Sequence, residues 1–272
     1  MTVCIAAITR DREIVTVSDT MVSNYFCSMD GATVKLKPLH DDWTAMMSGE
    51  DLGDCLGIID HSEDYFKPGA ATQREAITAF KQGYKSYIAE VAADIVLAPF
   101  DLDIKEFKKS GKKIFTDEIF NSLSHKIESE KEKLNSSQFI GYGFDGQGEA
   151  HVFLVLWPGI GKTRDKPGFA CIGAGADAAA FTLYSLGQTV NCNLYETIYN
   201  LCAAKFAAEK VQIGIGRDTY LYARKRGSSM FTTPIDFVPR IRAAWEKDGG
   251  PKIPAGIIKE ITETGIYQLA IT

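Results

Sequence analysis

Histidine is scarce in this chain. Its four copies, at positions 40, 61, 125 and 151, lie far apart, and none pairs with an obvious Ser or Cys nucleophile. A serine or cysteine triad, which needs an imidazole to take the nucleophile's proton, is therefore a poor fit. The histidines read as surface or packing residues. Paired cysteines are missing too. The six, at 4, 27, 55, 171, 192 and 202, form no CxxC motif and no Cys/His cluster, so zinc is not expected, and no other metal or cofactor is called for. Several sit in apolar runs, where a free thiol acts as a small hydrophobe, and a reducing cytoplasm suits them best. No run of eighteen apolar residues and no basic-then-apolar leader occurs, so no membrane span or signal peptide is expected. The mature amino terminus is then expected at residue 1 or 2. Excess positive charge is also lacking. A net charge of −5 and a pI near 5.5 disfavour nucleic acid as a partner.

What is present is an ordinary globular mixture, 45% apolar and 24% charged, over 272 residues, enough for a large core. Residues 3–9 and 14–19 are short apolar or β-branched runs joined by Arg10-Asp11-Arg12-Glu13, the signature of a hairpin. A second hairpin is expected over 33–39 and 43–48, after a loop whose turn signal is Asp30-Gly31. Leu52, Cys55, Leu56 and Ile59 then fall at helical spacing. Pro68-Gly69 breaks that pattern. Thr72, with Glu75 three residues on, forms a capping box for a long helix ending near Ala98-Pro99. Residues 100–136 are lysine-rich with apolar positions that suit one or two helices, the second capped by Thr116. They read as a helical insertion with a solvated charged face.

Strand signals return at 139–145 and 151–157 around Gly146-Gln147-Gly148, and again at 169–173. Helices are expected over 175–187 and 194–210, a strand over 219–223, a helix over 238–247 and a last strand over 265–271. Strands, helix pair, strands, helix pair, strands packs economically as two face-to-face antiparallel sheets with helices outside. Pro158-Gly159-Ile160-Gly161-Lys162-Thr163 has the look of a phosphate-binding loop. Position 156, where that motif needs glycine, is Leu, and no helix follows.

Thr2 follows the initiator Met directly, and removal of Met1 before such a small residue would leave a free amino-terminal Thr. That residue carries a hydroxyl nucleophile and an α-amine of pKa about 7.7–8.0, which can serve as its own general base without a histidine. Asp19 closes the second apolar run, Lys35 follows sixteen residues later, and Ser48-Gly49 places a glycine fourteen residues beyond Lys35 at a strand-to-helix turn.

This order and spacing resemble the proteasome family of N-terminal-nucleophile (Ntn) hydrolases, among them the bacterial proteasome β-subunit homologues. "GYGFDGQGEAHVFLVLWPG" resembles that family's central hairpin, and "CIGAGADAAAF" its glycine turn into the third helix. The 194–210 helix and the strand "TYLYAR" resemble its end. The resemblance implies an α+β fold, a four-layer αββα sandwich, in one unit spanning 1–272. The 100–136 insertion and an extension from about 230 lie outside the basic pattern.

The resemblance also implies roles. Thr2 attacks the carbonyl and its amine manages the proton. A charged Lys35 lowers the basicity of that amine and favours ionisation of the hydroxyl. Asp19 holds Lys35, and the Gly49 N–H faces the oxyanion. Lys37 is a rival for the lysine role by strand alternation, disfavoured by spacing. Val22, Thr33, Lys37, Met47, Asp51 and Cys55 would line the substrate pocket, and Cys4 reads as core. The implied activity is hydrolysis of peptide or amide bonds in a cytoplasmic homo-oligomer, a ring being one form. The substrate would be a peptide or protein, with any ATP-dependent unfoldase unidentified.

The chain departs from the family in three places. The first hairpin has one extra residue. Ala174 stands where the family has a Ser that assists the amine. A later acidic residue and Ser fall near Glu209 and Gln212. These departures keep two other readings open: an inactive assembly or binding subunit, and an amidase acting on small amides.

Overall fold

A computed structural model describes residues 2–23, 28–29, 34–40, 42–66, 72–227, 231–232, 236–248, 253 and 256–263. The chain opens with β1 (Cys4–Ile8) and β2 (Ile14–Asp19), then a two-stranded ladder of β3 (Val22–Ser23) and β4 (Ser28–Met29). Next come β5 (Leu36–His40), β6 (Trp43–Ser48), α1 (Leu52–Glu63), α2 (Gln73–Leu97), α3 (Ile104–Ile114) and α4 (Asp117–Lys133). The second half holds β7 (Gln138–Phe144), β8 (Ala150–Leu156), β9 (Ile160–Thr163), β10 (Phe169–Ile172), α5 (Ala176–Ser185) and α6 (Leu194–Val211). It closes with β11 (Thr219–Arg224), β12 (Phe231–Thr232), α7 (Phe237–Asp248) and α8 (Ile257–Glu263).

Two five-stranded sheets result, ordered β10-β1-β2-β11-β12 and β5-β6-β7-β8-β9, with every pairing among the described residues antiparallel. Strand alternation sorts the side chains into layers. On β1, Cys4, Ala6 and Ile8 enter the core between the sheets, beside Met46, Ile140, Tyr142 and Leu154. Val3, Ile5 and Ala7 face the other way, against α5 and α6. On β6, Trp43, Ala45 and Met47 meet α1 and α2. The architecture is therefore the expected αββα sandwich, with α1–α2 on one outer side and α5–α6 on the other.

Most expected elements lie within a residue or two of their places. The capping box at Thr72 and Glu75 forms, and Thr116 caps α4. The elements that escaped the sequence reading are short: β3 and β4 in the expected loop, β12, and two more. The phosphate-loop look-alike contains the edge strand β9, and α8 follows the expected α7. The extra residue of the first hairpin is absorbed in the turn: Arg12 takes φ 63, in the left-handed region, and the Thr9 hydroxyl accepts from the Glu13 N–H at 3.0 Å. The turn signals at Asp30-Gly31 and Pro68-Gly69 and the expected strand at 265–271 lie outside the described residues.

α3 and α4 pack on the end of α2 around a satellite cluster of Ala92, Ala93, Leu97, Phe107, Leu123 and Ile127, separate from the three sandwich cores. Among the described residues, no helix is long and apolar enough to cross a membrane, and no group of three or more His, Cys, Asp or Glu could hold a metal.

Candidate active site

β2 is the central strand of its sheet, so the residue at its end has neighbours on both sides. That residue is Asp19, fully buried. On the β1 side, the Val3 N–H donates to its Oδ1 at 3.0 Å, and the Asp19 N–H donates to the Val3 carbonyl at 3.2 Å. On the β11 side, the Gly216 N–H reaches Oδ2 at 3.2 Å, and the Met21 N–H reaches the same oxygen at 3.3 Å. Three amide donors thus satisfy both oxygens of this buried side chain. The same Oδ1 accepts from Lys35 Nζ at 2.9 Å. Lys35 is also buried, and its ammonium donates to the Thr2 hydroxyl oxygen. Thr2, Lys35 and Asp19 thus form one continuous chain of charge-assisted hydrogen bonds.

The Thr2 backbone is fixed by the glycine turn after β10. The Gly175 N–H donates to the Thr2 carbonyl at 3.2 Å. Gly173 has φ +91, and a Cβ there would stand 2.3 Å from that carbonyl oxygen, so the position requires glycine. The Gly173 N–H donates to the Gln138 side-chain oxygen at 3.1 Å. Gln138 lies opposite Ser48 in the β6–β7 pairing, so this bond joins the two sheets at the site. The same Gly173 Cβ position would meet Ser48 Oγ at 3.0 Å. The turn after β6, with Gly49 exposed at its tip, therefore adjoins Thr2. Gly49 rests on Cys55 and Ser137; a Cβ on it would meet Cys55 Sγ at 2.7 Å.

The expected pocket residues divide. Lys37 is bonded to Asp60 and lies near Glu63, both on α1, so Lys35 alone reaches Thr2 and Asp19. Asp51 is the N-cap of α1 and accepts from the Gly53 N–H at 2.6 Å. Met47 and Cys55 are buried in the core beneath α1 and α2. Val22 pairs with Met29 in the short ladder, and Thr33 lies outside the described residues. Glu209 does not turn toward Thr2. It is bonded to Lys205 and Arg242, and Gln212 caps α6. The late segment that reaches the site is Gly216. Ala174 is exposed between the two glycines.

Cys4, Cys55, Cys171 and Cys202 offer no competing nucleophile. Burial pushes the Cys55 thiol up to about 11 and the Cys171 and Cys202 thiols up to about 12, and it raises Cys4 as well. Such thiols remain protonated and unreactive near neutral pH. Cys4 is core, its Sγ 3.5 Å from the Met47 carbonyl.

The sequence reading missed Gln138, Lys205 and Gly216 at or behind this site, and had the Gly173–Gly175 turn only through Ala174. For Lys205 a signal was available: one charge in the otherwise apolar run Ala203-Ala204-Lys205-Phe206-Ala207-Ala208.

No protein-family model matches the chain, and no curated protein matches it. Solved structures do. A Gly-1 mutant of Anbu from Hyphomicrobium sp. strain MC1 aligns with a TM-score of 0.63 at 11% identity, covering 91% of this chain and 94% of that one. Anbu from the same strain, in a second structure, gives 0.60 at 10% identity, with 90% and 94% covered. Identity this low speaks to architecture alone, and the chain carries the α+β sandwich fold seen in Anbu.

Proposed function

We propose that this protein is a threonine-type Ntn hydrolase that cleaves peptide or amide bonds, with Thr2 as nucleophile once Met1 is removed. The observation that carries this reading is the buried Thr2–Lys35–Asp19 chain of hydrogen bonds. A hydroxyl is a weak nucleophile because it holds its proton. An ammonium bonded to its oxygen stabilises the alkoxide, and a carboxylate behind that ammonium fixes where it points. The freed α-amine of Thr2 takes the proton and later returns it to the leaving amine. The exposed turn at Gly49 offers its N–H to the tetrahedral oxyanion, a contribution on the order of 10²–10³ in rate. Of the expected pocket residues, Lys37 and Asp51 are the proposed contacts for substrate, Met47 and Cys55 being buried beneath α1 and α2. A homo-oligomer of proteasome-like subunits is the proposed assembly, and the cytoplasm its location.

One observation favours a second reading, an inactive subunit kept for assembly. Ala174 brings no hydroxyl to the glycine turn, and Glu209 is committed to other partners. A single experiment separates the two. Intact mass of the protein from its native host is measured before and after a covalent probe for amino-terminal threonine. The hydrolase reading expects loss of Met1 and one probe adduct, absent in Thr2→Ala. Full retention of Met1, or no adduct on the processed protein, sinks it. Peptide and small-amide panels on the labelled protein then separate a peptidase from an amidase.

A further inference from the structure

α6 carries a lysine where the helix is enclosed on every side. The Lys205 side chain has no exposed surface. Its ammonium donates to Glu209 and to three successive backbone carbonyls: Gly216 at 2.6 Å, Arg217 at 3.0 Å and Asp218 at 3.2 Å. Glu209 is gripped in turn by both guanidinium nitrogens of Arg242 on α7, at 2.6 and 2.9 Å, and Arg242 also donates to the Arg217 carbonyl at 2.8 Å. An ammonium has three protons, so four acceptors saturate it. Burial draws the lysine's pKa below the usual value, with Glu209 working against that shift.

A buried ionic cluster of this kind is a poor source of stability; well-packed apolar residues often do as well or better. Its consequence here is geometric. Anchoring the carbonyls of 216–218 fixes the Gly216 backbone, and the Gly216 N–H donates to Asp19 Oδ2 at 3.2 Å. The other oxygen of that carboxylate holds Lys35, and Lys35 holds Thr2. We infer that Lys205 is a positioning residue for the Thr2 site. It is an internal cation that fixes segment 216–218 so that Gly216 orients the Asp19 carboxylate, and through it Lys35. This rests on the reading of Thr2 as nucleophile, but its geometric half can be tested alone.

The test uses the full-length protein and two variants, Lys205→Met, which keeps the stem and removes the charge, and Lys205→Arg, which keeps the charge. In Lys205→Met, hydrogen exchange at the Gly216 amide is expected to rise about tenfold or more while the Ala6 amide is unchanged. Labelling of Thr2 at saturating probe is expected to slow about 10²-fold, with little change in probe affinity. Lys205→Arg is expected to retain most of both. Wild-type exchange at Gly216 in folded Lys205→Met overturns the inference. So does an unchanged labelling rate despite faster exchange. Should Lys205→Met fail to fold, the wild type carries the test: as alkaline pH discharges the lysine, Gly216 exchange must climb faster than the base-catalysed rise at Ala6. Parallel rises overturn the inference. An unlabelled wild type defeats the hydrolase reading and leaves the exchange result to decide the lysine's hold on Gly216.

Discussion

Gly173 borders Thr2 and Gly49 follows the adjoining Ser48, and a side chain is opposed at each for a different reason. Gly173 combines φ +91 with backbone 2.3 Å from where a Cβ would stand, and no neighbouring side chain can relieve that. Gly49 has an obstacle made largely of side chain, Cys55 Sγ at 2.7 Å and Ser137 Oγ at 3.2 Å. Gly49→Ala is therefore expected to cost about 1–3 kcal/mol, as overpacking does, and Cys55→Ala in the same chain should return much of it. Urea titration of the single and double variants measures this; equal losses in both would place the strain elsewhere. No such rescue is expected for Gly173→Ala. The residues readable from sequence were those near one another along the chain. Asp19 and Lys35 sit at strand ends within the first two hairpins, where spacing translates into place. Gly216 meets Asp19 across 197 residues, and no local pattern announces such a contact.

At the scale of elements, the strands and long helices were legible because their periodicity and caps agree. β9 was hidden by its length and exposure: four residues at a sheet edge, two of them Gly and Lys, carry almost no alternation. The pair α3–α4 was visible as helix, but its packing was not, since the same lysine-rich stripe suits a free surface or a docked one. The structure docks it on α2 through Phe107, stacked on Phe120 with centroids 4.7 Å apart. That cluster is separate from the sandwich cores, so it should open as its own unit. Phe107→Ala is expected to weaken it by about 3–5 kcal/mol. Exchange across 104–133 should rise while Thr2 labelling stays at the wild-type rate. A global fall in protection would show instead that α3–α4 braces the whole sandwich.

Across the whole molecule, the two ends of the sandwich are built differently. The Thr2 end is joined by Gln138 and Gly173 between the sheets. The far end is clamped by charge. Arg224 on β11 pairs with Asp42 at 2.9 Å, and Arg226 donates to the carbonyls of Gly146 and Gln147 at 3.1 and 2.9 Å. His151 on β8 lies 2.8 Å from Asp165, in the crossover from β9 to β10, and 3.3 Å from Asp145, with Trp43 stacked beside it. Burial disfavours the charged ring, but hydrogen bonds and charge from Asp165 and Asp145 together outweigh it and raise the histidine's pKa above the ordinary 6.5. The folded state then holds this proton more tightly than the unfolded one. The resulting stabilisation is complete below pH 6.5 and is lost as pH rises through the higher folded value. His151→Gln should flatten the stability–pH curve across that window, read by urea midpoints at several pH values. An unchanged slope would exclude His151 as its source.

The placing of Asp19 also sets an order of events in the life of the chain. Thr2 and its lysine leave the ribosome well before the Gly216 amide that completes the Asp19 cradle, which follows Asp19 by 197 residues. β2 lies between β1 and β11, so its sheet cannot close on a partial chain. A growing polypeptide therefore carries its threonine without the cradle that orients it. Assembly of the Thr2–Lys35–Asp19 cluster is postponed until β11 and the segment before it are made, and a chain stopped short of Gly216 lacks one of the donors to Asp19.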